Sequence, residues 1–487
     1  MNDTARDHAI AAYPCLQLFI DGHWIERENR DAGEVIDPST GKVLGMLPHA
    51  TTVDLDRAIA AAAGSFEGWK RTPALERSRI LRSAAAHLRI RRQELVQLIA
   101  LELGKPPAEA VRETETACEM LEWGAEEARR LYGRIIPARV PNISMMAVPT
   151  AVGPVGAASG WNAPSITPAR KLSAALAAGC TIVLKPSEAT PATALFVVRA
   201  LHEAGVPAGV VNVVFGNPSQ TVSRLAADPA LRLISFTGGT QVGKTLAAIA
   251  AGNMKRMVFE LGGHAPVLVF NDANTDVVAK AAVAAKFRNS GQICTSPTRF
   301  LVQRESYARF LEIFVATTEK LTVGDPFAPG TDMGPMQNQR RVVAIQDLIR
   351  DACERGATLA TGGRRIDRPG FWHEPTVLTD VPAEARALHE EPFGPVAIMR
   401  PFDDIDDAIR EANRLDFGLA AYAFSNSLRT VERVSVALNC GTLAVNHWTA
   451  SLAETPFGGM KDSGIGAEGG VEGIAAFIQT RFISVSS

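Results

Sequence analysis

The chain has 487 residues, enough for two or three domains and a large buried core. With 50 basic and 52 acidic residues and a formal net charge of −2, it offers no electrostatic case for nucleic acid or an anionic membrane, which leaves small molecules or further copies of itself as partners. Six scattered cysteines, Cys15, Cys118, Cys180, Cys294, Cys353 and Cys440, show neither zinc-ribbon nor disulfide-framework spacing, so a reducing cytoplasm is the expected setting.

The first residues, Met1 to Tyr13, carry Asp3, Arg6 and Asp7 and have no apolar core of signal-peptide type. Apolar residues at helical spacing predict amphipathic covering helices over Asp54 to Ala63 and Ala74 to Leu103. The run Val140 to Ala169 lacks charge until Arg170, yet Pro141, Pro149, Pro154, Pro164 and Pro168 would break a membrane helix repeatedly, so it reads as buried loops and a strand. From Ala147 onward, apolar runs (Val152 to Ala158, Thr181 to Leu184, Val210 to Phe215, Leu233 to Phe236, Met257 to Glu260) alternate with Ala-rich helical segments (Thr167 to Ala178, Pro191 to Ala204, Ser219 to Ala227, Gln241 to Ala251). That alternation predicts a doubly wound parallel sheet with ligands at the carboxyl ends of its strands. A second α/β block runs from Asp276 to about Leu438, with Pro395 to Met399 as a strand and Ile405 to Leu415 as a helix, and a cleft is expected between the blocks. No internal repeat or Gly/Ser linker interrupts them.

Three local features carry chemistry. Cys294 follows the turn-favouring Gly291-Gln292, and a thiol so presented can attack a carbonyl if its pKa falls from the free value of about 8.5. Glu260 ends an apolar strand before Leu261-Gly262-Gly263 and points towards the cleft, where it would serve as a base; a surface carboxylate is the plain alternative. Asn162, in Trp161-Asn162-Ala163-Pro164, sits between strand and helix, either as an oxyanion donor or as a helix cap. The run Gly238-Gly239-Thr240-Gln241-Val242-Gly243-Lys244-Thr245 fits the P-loop pattern and alone would suggest a nucleotide triphosphatase. Its backbone N–H groups at a helix start could equally hold a dinucleotide pyrophosphate, with Lys244 a solvated helix residue.

Seven segments in order resemble the aldehyde dehydrogenase superfamily: Trp161-Asn162-x-Pro164, Lys185-Pro186-Ser187-Glu188, Phe236-Thr237-Gly238-Gly239-Thr240, Glu260-Leu261-Gly262-Gly263, Gly291-Gln292-Ile293-Cys294, Glu391-Pro392-Phe393-Gly394-Pro395 and Pro456-Phe457-Gly458-Gly459. The resemblance implies an α/β fold of that type: a dinucleotide-binding domain from residues 1–131 and 151–260, a catalytic domain from 261–468, and a small β oligomerisation element from 132–150 and 469–487 that serves a homodimer or homotetramer. It implies oxidation of an aldehyde to a carboxylic acid. Cys294 would form a thiohemiacetal whose oxyanion is held by Asn162 and the Cys294 N–H, Glu260 would activate water to hydrolyse the thioester, and Lys171 would support them. Relatives that pass the acyl group to coenzyme A generally lack this base. Trp161, Lys185, Ser187, Glu188, Gly238, Gly239, Gly243, Leu261, Glu391 and Phe393 match cofactor-binding positions, no metal is implied, and the Glu188 carboxylate should favour NAD, with NADP possible.

Within the superfamily, Arg170, Arg288 and Ser451 fall where succinate-semialdehyde dehydrogenases bind the substrate's distal carboxylate, so a small carboxylated semialdehyde is the expected substrate; an aromatic or aliphatic aldehyde is the alternative, and Trp448 and His447 would line its entrance. Several positions depart from the family pattern: Gly160, Gly239, His264 and Pro392 replace commoner residues. Ser296 stands where some succinate-semialdehyde enzymes have a second cysteine, so no disulfide switch beside Cys294 is expected.

Overall fold

Three sheets organise the computed structural model, which describes residues 2–486. At the centre of the first are five parallel strands, in the order Val211–Val213, Ile182–Lys185, Val155–Ala158, Leu233–Thr237, Arg256–Glu260. Antiparallel Leu18–Ile20 and Gly464–Ile465 close its two sides. The middle strands are buried along their whole length, which is why they read as unbroken apolar runs rather than alternating ones. Winding starts at Val155–Ala158, builds outward through Val211–Val213, then reverses to Leu233–Thr237 on the other side. The reversal leaves a crevice beyond Ala158 and Thr237, the switch point at which such sheets take ligands.

The second sheet is parallel except for its edge strand Thr358–Thr361, with order Thr358–Thr361, Thr376–Thr379, Val396–Phe402, Pro297–Gln303, Ala265–Val269, Ala420–Phe424, Thr442–Val445. Only Leu261 to His264 separates the end of the first sheet at Glu260 from the start of the second at Ala265. The third sheet pairs Ile478–Ser486 and Arg134–Ile136 with the two sides of Ile143–Ala151.

Helix starts follow local chemistry. Thr51 and Asp54 form a reciprocal capping box for Thr52–Arg71, and Pro begins the helices Pro107–Ala128, Pro191–Glu203 and Pro218–Ala227, where a missing N–H costs nothing. The predicted helix Ala74 to Leu103 is two helices, Ala74–Ile90 and Arg92–Leu103, broken at Arg91. No glycine or proline marks that break. Arg91 instead pairs with Glu94 and Glu203 and lies over the Phe196 ring, contacts made with a later helix that a local pattern does not reveal. Val140 to Ala169 contains two strands, Ile143–Ala151 and Val155–Ala158, and a helix start at Ile166 instead of one strand. Among the described residues, no helix is long and apolar enough to cross a membrane.

Arg299 joins the second sheet to its helices. Its guanidinium is buried and donates to the carbonyls of His264 (3.0 Å), Glu411 (2.8 Å) and Ala412 (2.9 Å). Arg299→Met should therefore strand three buried acceptors and cost at least about 3 kcal/mol, read as a lower urea midpoint of the intact protein. An unchanged midpoint would show that these bonds contribute nothing net.

Candidate active site

Cys294 is presented by a backbone that L-residues adopt reluctantly. After the helix Thr275–Phe287, the turn Arg288–Gly291 places Asn289 (φ 50°), Ser290 (φ 54°) and Gly291 (φ 70°) in succession in the left-handed region. Surrounding bonds impose this shape. Glu109 accepts the Asn289 N–H at 2.9 Å, Ser290 Oγ donates to the Gly334 carbonyl at 2.7 Å, and Gln292 Oε1 accepts the Gln337 N–H at 2.9 Å. A Cβ at Gly291 would lie 2.1 Å from the Gly394 carbonyl oxygen, so glycine is required by space as well as by φ.

Facing the thiol is Glu260, which is buried rather than exposed at its strand end. Burial pushes its carboxyl up to about 7; the neighbouring Cys294 thiol pulls it down, Glu468 adds to the rise, and Arg170 and Lys171 oppose it. Glu260 Oε1 has no hydrogen-bond partner among the described residues, leaving an acceptor free for a proton from substrate, thiol or water. The expected lowering of the Cys294 pKa is not found. Burial, then the Glu260 carboxylate, push the thiol up, so attack in this arrangement needs proton transfer to a base and does not draw on a resident thiolate.

Lys171, on the helix Ile166–Ala178, is fully buried and not a solvated helix lysine. Its ammonium pairs with Glu468 at 2.5 Å and donates to Ser235 Oγ at 2.9 Å. Glu468, which sequence reasoning missed, lies far along the chain between glycines, and nothing local signals that it faces the site. Asn162 does not cap the helix after it: Ser165 occupies the cap position, and the Asn162 amide has no hydrogen bond to the described protein. That leaves its Nδ2 free to meet an oxygen at Cys294.

Arg170 and Ser451 come together, with Arg170 Nη2 donating to Ser451 Oγ at 2.9 Å and the guanidinium lying over Phe457 at 4.7 Å. Arg170 is 7% exposed and its Nε is buried without a partner, while its charge is felt by both Cys294 and Glu260. Arg288 is half-buried and makes no hydrogen bond or ion pair with the described residues, though its charge acts on Glu109 and Tyr422. Trp448 packs on Tyr422 and Phe424, with ring centroids at 5.2 and 4.6 Å, and His447 is exposed.

The positions expected to hold a dinucleotide lie around the crevice of the first sheet. Lys185 Nζ pairs with Glu188 at 2.5 Å, and Glu188 also accepts the Gly216 N–H at 3.2 Å. Burial lowers the Lys185 pKa and Glu188 opposes that. Ser187 Oγ accepts the Ala189 N–H at 3.2 Å. Gly239 is the N-cap of Thr240–Ala251 without a side-chain cap bond, and a Cβ there would meet nothing within 4 Å. Gly243, on the same helix, is buried against Leu261, and Gly238 precedes the helix start. Across the crossing, Glu391 Oε1 accepts the Gly263 N–H at 3.0 Å, and Phe393 meets Trp161 edge-on at 5.4 Å. Burial raises the Glu391 carboxyl to about 7. Ser159 Oγ and Thr237 Oγ1, at the ends of two central strands, are buried without partners among the described residues. Unpaired hydroxyls beside an uncapped helix start fit a polar phosphate-bearing ligand. Lys244 of the P-loop-like run is exposed and paired with Asp462.

Comparison with known proteins agrees with this geometry. The profile of the aldehyde dehydrogenase family matches residues 24–483. The 4-(hydroxymethyl)benzenesulfonate dehydrogenase TsaD1 of Comamonas testosteroni is 44% identical over 471 residues, covering 97% of this chain and 98% of its own. An NADP+ succinate-semialdehyde dehydrogenase of Escherichia coli K12 is 39% identical over 469 residues, covering 96% and 97%. Among solved structures, betaine aldehyde dehydrogenase from Staphylococcus aureus in complex with NAD+ superimposes with a TM-score of 0.96 at 32% identity, covering 99% of this chain and 97% of that one.

Gly291→Ala tests the presentation of the thiol. The clash and the left-handed strain together should cost about 1–3 kcal/mol or more and displace Cys294. The expected result is a lower thermal midpoint with slower alkylation of Cys294 by iodoacetamide; retention of both would mean the turn tolerates a different backbone path.

Proposed function

The chain belongs to the aldehyde dehydrogenase family, whose members oxidise aldehydes with NAD(P), and from that premise we propose that its substrate is a small aldehyde with a remote carboxylate, succinate semialdehyde foremost, and its preferred acceptor NAD+. The observation that carries the substrate reading is Arg170: a buried guanidinium in electrostatic reach of the thiol, bonded to the Ser451 hydroxyl, sharing the Glu468 carboxylate (3.7 Å) with Lys171 and retaining an unpaired Nε. One carboxylate divided between two buried cations leaves a net positive charge that a ligand anion would complete. Arg288, without a hydrogen-bonded protein partner, would supply the second contact.

In this reading the carboxylate end anchors on Arg170, Ser451 and Arg288 and sets the aldehyde carbon against Cys294 Sγ. Glu260, with its carboxyl near 7, takes the thiol proton as the C–S bond forms, and the oxyanion settles on Asn162 Nδ2 and the Cys294 N–H. The nicotinamide cofactor supplies the hydride acceptor; Lys185, Ser187, Glu188, the Gly238–Gly243 turn, Leu261, Glu391, Phe393 and Trp161 would hold it. After passing the thiol's proton to solvent, Glu260 removes a proton from the water that attacks the Cys294 thioester; the C–S bond breaks and that proton goes to the departing thiolate, so acid and thiol are restored. Lys171 acts behind Glu260 through Glu468, tempering the field at the base. Preference for NAD+ rests on Glu188, whose carboxylate opposes a 2′-phosphate. Six free cysteines suit a reducing compartment such as the cytoplasm. A homodimer or homotetramer would use the third sheet, where Ile135, Phe482 and Val485 are exposed.

A second reading is supported by the Comamonas relative's name and by the Tyr422, Phe424 and Trp448 cluster: an aromatic aldehyde, its anion a sulfonate held by the same guanidinium groups. NADH formation from succinate semialdehyde, 4-sulfobenzaldehyde, benzaldehyde and hexanal separates the two. We expect succinate semialdehyde to lead by kcat/KM, and Arg288→Ala to lower its kcat/KM about 10- to 100-fold, mainly through KM, without affecting hexanal. An unaffected value would refute the clamp.

The pH profile tests the base. Because only ionised Glu260 accepts a proton and burial raises its pKa, turnover should be low at pH 6, climb through about 7 and level off above it. Glu260→Gln should lose both the single-turnover burst of NADH and steady turnover, because thiol and water both give their protons to this carboxylate. A retained burst with lost turnover would confine Glu260 to hydrolysis of the thioester, and full turnover would remove it from the mechanism.

A further inference from the structure

Asn162 is anchored by its main-chain carbonyl, since its side chain is kept free. Two donors converge on that oxygen: Lys105 Nζ at 2.9 Å and Asn289 Nδ2 at 3.1 Å. Asn289 also donates to the Gln292 carbonyl at 3.0 Å, so one amide ties Asn162 to the nucleophile turn. Lys105 is buried and ion-paired with buried Glu113. Glu113 Oε1 in turn accepts both the N–H and the hydroxyl of Ser165 at 3.1 Å, at the start of the helix that follows Asn162. Glu109 stands four residues before Glu113 on the same helix face, and it accepts the Asn289 N–H. The nine residues from Lys105 to Glu113 thus reach the Asn162 peptide, the helix behind it and the turn that carries Cys294.

A buried ion pair is a poor source of stability, because desolvating both charges offsets most of their attraction. This pair instead supplies geometry. An ammonium makes a charge-assisted bond to a carbonyl, shorter and stronger than a neutral donor would make, and Glu113 fixes the ammonium from the other side. We propose that Lys105 is a positioning residue for the oxyanion donor: it holds the Asn162 peptide so that Nδ2 sits at the required distance from the oxygen developing on the carbon bound to Cys294. The inference rests on the reading of Asn162 as oxyanion donor. Neither Lys105 nor Glu113 lies in a segment that resembles the family's motifs, and neither would touch substrate.

Donors of this kind must be placed to within about 0.5 Å, and losing one outright costs about 100- to 1,000-fold in rate, so misplacing one should cost less. The test compares Lys105→Met, the charge-balanced double variant Lys105→Met/Glu113→Gln, Lys105→Arg and Asn162→Ala. Two rates are read: kcat/KM for the best aldehyde of the panel, which passes through an oxyanion, and alkylation of Cys294 by iodoacetamide, which does not. We expect both Met variants to lose about 10- to 100-fold in kcat/KM while alkylation and the KM for NAD+ stay within about twofold, with partial recovery in Lys105→Arg. The double variant leaves no lone buried charge, so it keeps the test open if the single one misfolds. Parallel loss of alkylation would make the role merely structural and overturn the proposal. So would full kcat/KM in the double variant alongside an impaired Asn162→Ala. An unimpaired Asn162→Ala would instead overturn the oxyanion reading on which the proposal stands.

Discussion

The constraint on which the site depends is the four-residue crossing Leu261-Gly262-Gly263-His264. It leaves the first sheet at its carboxyl edge and enters the second at an amino edge, with no room for a loop. Glu260 is therefore fixed at the seam, its backbone carbonyl accepting the Gly238 N–H at 3.1 Å, while Leu261 N–H donates to Ser463 at 2.9 Å. The crossing runs so close to both neighbours that side chains are excluded. A Cβ on Gly263 would lie 2.7 Å from the Cys294 carbonyl oxygen, and one on Gly262 would lie 2.7 Å from Glu391 Oε2. Cys294, Glu260 and Glu391 thus meet around one strip of bare backbone.

This seam explains an asymmetry that the general rule for parallel sheets does not anticipate. Asn162, the Gly238-Gly239 turn and Glu260 follow strands of the first sheet, as expected for a ligand at carboxyl ends. Cys294 and Glu391 precede strands, Pro297–Gln303 and Val396–Phe402. The second sheet therefore presents amino ends, and its site residues are held by turns rather than by strand termini. A turn has to be stiffened from outside, which accounts for the density of bonds around Asn289, Ser290 and Gln292.

Much of this was legible in the chain. The βαβα alternation and its strand positions carry over to the structure within three residues in the first sheet, because fully buried parallel strands and Pro- or Gly-bounded helices write themselves locally. Glu260 ends a strand, and Asn162 and Cys294 lie in short loops between the elements that bring the three motif residues together. What was not legible is long-range. Glu468 is about two hundred residues from Glu260, and Lys105 is 57 residues from Asn162 in a segment with no catalytic pattern. The break at Arg91 depends on partners in another helix, and the upward shift of the thiol depends on a burial that no heptapeptide encodes.

The electrostatics of the site follow from the same burial. The Glu260 carboxylate raises the cost of charging Cys294, while the thiol's hydrogen bond eases the charging of Glu260, so the pair holds its proton on sulfur until an electrophile draws it to the carboxylate. Two cationic groups moderate that cost, Lys171 and Arg170; both pair with Glu468, at 2.5 and 3.7 Å, and Arg170 is bonded to Ser451 as well and keeps an unpaired Nε. The difference matters for what an anionic substrate would do. A carboxylate arriving at Arg170 neutralises one of the charges that keep Glu260 and Cys294 down, which raises both pKa values further just as the aldehyde reaches the thiol. A base with a higher pKa is a better proton acceptor at the moment of attack, provided the ambient pH keeps it ionised. The thiol's pKa rises with that of the base, so on the proposed reading the remote anion would act through Arg170 chiefly as grip, and an aldehyde without it would lose orientation rather than a proton acceptor.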